Sequence, residues 1–153
     1  MTGEEGYQIL FTGAASEKQM CDELAGQVGQ NAFSVAGLFS LKEFIGLVKA
    51  APAVVSVNTG TVHIAAAVNT PVVVLYAQTN PQHTPWRVPN KVLEFGVEED
   101  SRSKNEVIQF MYSEVYKQPV PMPQPGEIVD AVRDLLAVSS PSNDLSNLKA
   151  IEQ

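Results

Sequence analysis

Residues 56–71 read SVNTGTVHIAAAVNTP. An apolar run ending at Val57 meets a polar turn, Asn58-Thr59-Gly60, and that turn opens an alanine-rich segment with His63 near its start. The β-branched residues of 53–57 predict a strand, and 61–68 predict a helix. A helix that begins at Gly60 or Thr61 leaves backbone N–H groups without intrahelical partners. Its dipole adds positive potential at the same end. Gly60 admits close approach of another group to the backbone, and His63 falls within the first turn. Together these make a cradle for a phosphate or diphosphate. The same residues also fit a plain capped junction, with Asn58 or Thr59 as N-cap and His63 on the surface. Local features leave both readings open.

Working outward, the strand–turn–helix unit recurs. Residues 7–12 (YQILFT) predict a buried strand, followed by a helix over 16–28 with Met20, Leu24 and Val28 on one face. A short strand over 32–35 precedes a helix over 41–50, with Ser40 as N-cap and Glu43 at the capping-box position. Residues 71–76 (PVVVLY) form an apolar run suited to a strand covered on both faces. Repeated strands and crossover helices predict an α/β fold, a doubly wound Rossmann-like parallel sheet. Beyond residue 76 the regularity fades. Residues 77–90 (AQTNPQHTPWRVPN) form a long loop of the kind that covers or carries a site. A fifth strand is expected over 92–95 and a helix over 105–116. A proline-rich connector then leads to an amphipathic helix over 127–136. Residues 1–137 are expected to form one domain, with a polar tail over 138–153.

Composition narrows the classes of function. The chain has 153 residues, is 44% hydrophobic and carries a net charge of −7. That balance supports a folded core and disfavours a broad electrostatic grip on nucleic acid. Cys21 is the sole cysteine, so neither an internal disulfide nor a multi-cysteine metal site is available, as in a reducing compartment. No secretory signal or membrane span is evident, and a cytoplasmic location is expected.

In open α/β sheets, ligands sit outside the carboxyl ends of the strands. Ser16 and Glu17 follow the first strand. Glu17 has the chemistry to accept hydrogen bonds from a ribose diol, or simply to favour a helix N-terminus; Ser16 serves equally as an N-cap. Gly37 follows the second strand, where its turn could meet a nucleobase edge. No P-loop and no G-x-G-x-x-G sequence is present. His63 and His83 lack a carboxylate cluster that would complete a metal site, and no metal or cofactor is expected. Trp86, in the long loop, has either a stacking or a packing role.

The segment VVSVNTGTVHIAAAVNTPVVVLYAQTNP, residues 54–81, resembles the signature of the bacterial heptosyltransferase family of glycosyltransferases. That pattern runs D-T-G-x-x-H-x-A-A-A, then T-P-V-V-x-L-(F/Y)-G-P-T-x-P. Upstream, ILFTGAASEKQ is similar to the family's strand followed by G-x-x-x-E, and VAGLFSL to its L-A-G-x-x-S-L segment. The resemblance covers residues 7–89 and, more loosely, the last helix. It implies the C-terminal, donor-binding half of a GT-B enzyme that transfers a sugar from a nucleotide-sugar, ADP-heptose, to a lipopolysaccharide core acceptor with inversion and without a metal. Thr59, Gly60, Thr61 and His63 would then hold the donor diphosphate and Asn58 would face the sugar. Glu17, beside Ser16, would bind the ribose, and the Gly37 turn would lie near the base. The family's catalytic base and acceptor site belong to its N-terminal domain, so this chain alone is expected to be inactive, and the full-length protein peripheral to the inner membrane. Asn58 stands where the pattern has aspartate, and AQTNP replaces G-P-T-x-P. Asparagine still hydrogen-bonds a hydroxyl but lacks the charge. A non-catalytic nucleotide-sugar-binding module and an epimerase-like enzyme on the same fold are the alternatives; the latter needs a second cleft carboxylate beside Glu17.

Overall fold

The computed structural model describes residues 6–78, 84–116, 118 and 120–139. The chain divides into two units, Met1–Ala50 and Ala51–Gln153.

In the first unit, β1 (Ile9–Phe11) leads through a 3-10 turn (Ala15–Glu17) into α1 (Lys18–Val28). β2 (Ala32–Ser34) and α2 (Leu41–Ala50) follow. β1 and β2 pair in parallel, Ile9 opposite Ala32 and Phe11 opposite Ser34. Helix α1 covers one face of this ladder with Cys21 and Ala25, both buried. β1 was expected to be buried, yet Leu10 is 41% exposed and Ile9 is exposed as well. Ile9 and Leu10 point to opposite faces by strand alternation, so two strands with one crossover helix leave apolar side chains open on both faces. α2 starts as the sequence implies. The Ser40 backbone N–H donates to Glu43 Oε2 at 2.8 Å and the Ser40 hydroxyl to the same oxygen at 2.6 Å, while the Glu43 N–H donates to Ser40 Oγ at 3.4 Å. This is a reciprocal capping box. The hydrogen bonds from Ser40, side chain first, hold the Glu43 carboxyl below the usual range.

In the second unit, β3 (Val54–Val57), β4 (Val72–Ala77) and β5 (Asn90–Phe95) form a parallel sheet with β4 central. α3 (Gly60–Ala67) crosses from β3 to β4. α4 (Glu106–Glu114) and α5 (Pro125–Ser139) complete the unit. Val73 packs with Ala131 and Leu135 of α5, joined by Leu93 and Val132. Its neighbours Val72 and Val74 point to the opposite face by strand alternation, and all three are fully buried. Both faces of β4 are therefore covered, as its unbroken Val run implies. Fully burying each valine is worth about 1.5–3 kcal/mol before entropy is counted. α3 stops at the sequence VNTP for a local reason. Asn69 adopts φ +60, and the Thr70 N–H reaches back to the Ala65 carbonyl at 2.9 Å. A left-handed asparagine after the last turn is a standard helix stop.

The helix expected over 127–136 is longer, Pro125–Ser139. Pro125 suits a first helical position, and Glu127 Oε2 accepts from the Gln124 N–H at 2.6 Å. The tail beyond Ser139 lies outside the described residues. No helix among the described residues is long and apolar enough to cross a membrane.

Candidate functional site

At the β3–α3 junction, Thr59 occupies the N-cap position with extended backbone (φ −132, ψ −179), yet its side chain makes no capping hydrogen bond. The Thr59 hydroxyl instead lies 3.3 Å from that of Ser56. Capping by the Thr59 side chain, part of one of the two readings of this turn, is thus not what the turn does. The Val62 N–H donates to the Thr59 carbonyl at 3.1 Å, whereas the amides of Gly60 and Thr61 precede the first intrahelical bond. A Cβ placed on Gly60 would meet nothing within 4 Å. Among the described residues, nothing closes over Gly60 at the positive end of the helix. Asn58 and Thr61 are half-buried beside it, and His63 is exposed in the first turn.

In the first unit the turns after β1 and β2 are brought together. The Gly37 N–H donates to the Gly13 carbonyl at 2.9 Å. Gly37 has φ +72, and a Cβ there would sit 2.8 Å from Ala15 Cα. Only glycine meets both demands. Ser16 and Glu17 lie in the 3-10 turn, and Glu17 Oε2 accepts the Ala14 N–H at 2.7 Å. Glu17 therefore closes the turn, and it packs over Gly13, where a Cβ would stand 3.0 Å from that same oxygen. The structure thus assembles Ser16, Glu17 and Gly37 in one unit, and Asn58, Thr59, Gly60, Thr61 and His63 in the other.

His83 lies outside the described residues. Trp86 is 76% exposed, with the Arg87 guanidinium 5.5 Å from its ring. It does not anchor the loop by packing; the buried Pro85 and Val88 do.

Beyond the carboxyl ends of β4 and β5 lies a cleft of about 620 Å³ that the sequence did not reveal, lined by Gln78, Glu98, Arg102, Tyr112 and Tyr116 among others. The Tyr112 hydroxyl donates to the Gln78 carbonyl, and the Arg102 guanidinium lies 4.4 Å from the Tyr112 ring centre. Burial pushes both phenols above the usual tyrosine range, with the charge of Arg102 partly offsetting it at Tyr112.

Comparison with known proteins places this geometry in context. Residues 1–115 match the family described as glycosyltransferase family 9 (heptosyltransferase). The lipooligosaccharide heptosyltransferase 2 of Haemophilus influenzae is 35% identical over 85 residues, which are 53% of this chain and 25% of that protein. The lipopolysaccharide heptosyltransferase 2 of Escherichia coli is 34% identical over 86 residues, 54% of this chain and 25% of that protein. The chain thus spans only about a quarter of the length of these curated relatives in the matched stretch. Among solved structures, a family 9 glycosyl transferase from Veillonella parvula superposes with a TM-score of 0.68 at 19% identity, over 87% of this chain and 37% of that one. The Escherichia coli ADP-heptose LPS heptosyltransferase II gives 0.65 at 23% identity, over 90% of this chain and 39% of that one. The α/β fold and its GT-B relatives are those expected from the sequence. This chain belongs to glycosyltransferase family 9, the heptosyltransferase family.

Proposed function

We infer that this chain is the nucleotide-sugar-binding part of a glycosyltransferase that moves heptose from ADP-heptose to a lipopolysaccharide core acceptor. The observation that carries this reading is the start of α3 without a capping bond from Thr59, with nothing among the described residues closing over Gly60 and with His63 exposed beside it. Anion binding is what an unsatisfied helix N-terminus offers. The amides of Gly60 and Thr61, the Thr59 hydroxyl and the His63 imidazole hold the diphosphate. As the glycosidic bond to the sugar breaks, negative charge grows on the departing diphosphate, and these preoriented donors favour it. Asn58 hydrogen-bonds the donor sugar. Glu17 and Ser16 take the ribose, and the Gly37 turn borders the base. No residue of this chain serves as the catalytic base, which belongs to a further domain that also holds the acceptor. The chain by itself therefore binds donor and transfers nothing. In the full-length protein the reaction takes place at the cytoplasmic side of the inner membrane.

Substituting His63→Ala tests the phosphate assignment. Calorimetry should show ADP binding weakened by about tenfold or more, the scale of one hydrogen bond to a charged group, with adenosine binding unchanged. Equal losses for both would remove His63 from phosphate contact.

A further inference from the structure

The cleft beyond β4 and β5 opens at the same edge of the sheet as the β3–α3 junction, because the three strands run parallel. Ligands of such sheets gather at that edge. None of the residues assigned to the donor lines this cleft. Its parts are fixed without a ligand. Tyr112 is held by its bond to the Gln78 carbonyl, and Gln78 is itself buried, with its backbone N–H on the Phe95 carbonyl at 2.9 Å. Arg102 donates through Nε to the Val97 carbonyl at 3.0 Å and lies on the Tyr112 ring. A guanidinium has five N–H donors, so this bond leaves four. Among the described residues Arg102 enters no ion pair, although Glu98 and Glu99 line the same cleft.

The lining selects a ligand class. Two carboxylates repel an anion. The Tyr112 and Tyr116 rings meet at 60° with centroids 5.7 Å apart, so they do not form the parallel-walled slot a flat base prefers. A wholly apolar ligand would strip water from Arg102 and the glutamates without replacing it. A pyranose avoids all three problems: its C–H face lies on an aromatic ring, and its hydroxyls both donate to carboxylates and accept from a guanidinium. The volume is in the range of small-molecule sites. We propose that this cleft is a carbohydrate subsite, taking a neutral pyranose against Tyr116 with Arg102, Glu98 and Glu99 on its hydroxyls. The source of the sugar, donor or acceptor, rests on the function proposed above; the cleft itself does not.

The test is a nitrogen-15 NMR titration of the full chain with methyl mannoside and with mannobiose. The amides of Gly96, Val97 and Arg102 should shift saturably. Arg102→Ala and Tyr116→Ala should each weaken the effect by about tenfold, with an unmoved Val73 amide reporting an intact core. Should Tyr116→Ala perturb Val73, Tyr116→Phe keeps the ring and should bind mannobiose within about twofold of the parent chain, and the loss on Arg102→Ala then decides the proposal. AMP should leave the three amides unmoved. Absence of saturable shifts with both sugars overturns the proposal, as do shifts that survive the substitutions or are matched by AMP. ADP added to the same samples reads Gly60 and Thr61, so failure of the donor assignment and failure of the cleft are distinguishable. With ADP-mannose, movement of both sets of amides at one midpoint assigns the sugar to the donor. Mannobiose still saturating the cleft in the presence of saturating ADP-mannose assigns it to the acceptor.

Discussion

Gly37→Ala should be among the most damaging single substitutions in the first unit. The residue has φ +72, in the left-handed region, and an added Cβ would lie 2.8 Å from Ala15 Cα and 3.0 Å from Ala15 Cβ. Left-handed backbone costs a residue with a Cβ about 1–2 kcal/mol. Relieving the contact requires backbone movement, since the atom struck is Ala15 Cα rather than the end of a flexible side chain; overpacking of that kind costs about 1–3 kcal/mol. The sum is about 2–5 kcal/mol, a large part of the 5–15 kcal/mol that holds a typical domain together. The same shift would loosen the Gly37 bond to the Gly13 carbonyl and with it the turn that carries Ser16 and Glu17. Urea unfolding followed by circular dichroism measures the loss. A change below about 0.5 kcal/mol, the range of ordinary surface substitutions, would show that the two turns do not meet as described.

Gly60→Val makes the opposite case. Nothing lies within 4 Å of a Cβ there, so stability should change by less than about 1 kcal/mol, while the side chain fills the space over the α3 N-terminus and calorimetric ADP binding disappears; unchanged affinity would sink the cradle. Leu135→Ala removes a side chain packed with Val73 and Ala131 and should cost about 2–5 kcal/mol in urea unfolding. Ser40→Ala should lower the thermal midpoint at neutral pH. Its Glu43 carboxyl is held below the usual range in the folded chain, so the stability it contributes is present above the unfolded value of about 4.3 and is lost as pH falls through the folded one. The gap between the two proteins in thermal melts should therefore narrow in acid, and a gap that widens would contradict the capping box.

What could be read from the sequence was local. Ser40 and Glu43 sit three residues apart and announce their own hydrogen bonds. The VVVL run foretold a strand covered on both faces, and the SVNTGTVH junction foretold a strand end followed by a helix start. Whether the Thr59 hydroxyl reaches the helix or turns to Ser56 needed coordinates, since both arrangements suit the same sequence. Burial of β1 was misjudged because apolar composition says which residues can be covered, and only the number of packed helices says which are. Glu17 was legible as a ribose ligand or as a helix-end charge; the structure commits one of its oxygens to the Ala14 amide. Pro125 was absorbed into a proline-rich connector, although a proline followed two residues later by Glu127 also reads as a helix start. The cleft had no local signal at all. Tyr112 meets Gln78 across 34 residues, and no spacing rule joins them.

The most direct test of the donor assignment is isothermal titration of this chain with ADP, UDP and GDP, followed by ADP-heptose. Selective binding of ADP, tightened by the heptose, is the predicted result. Binding of none of the three diphosphates would contradict the reading of the β3–α3 junction as a diphosphate site.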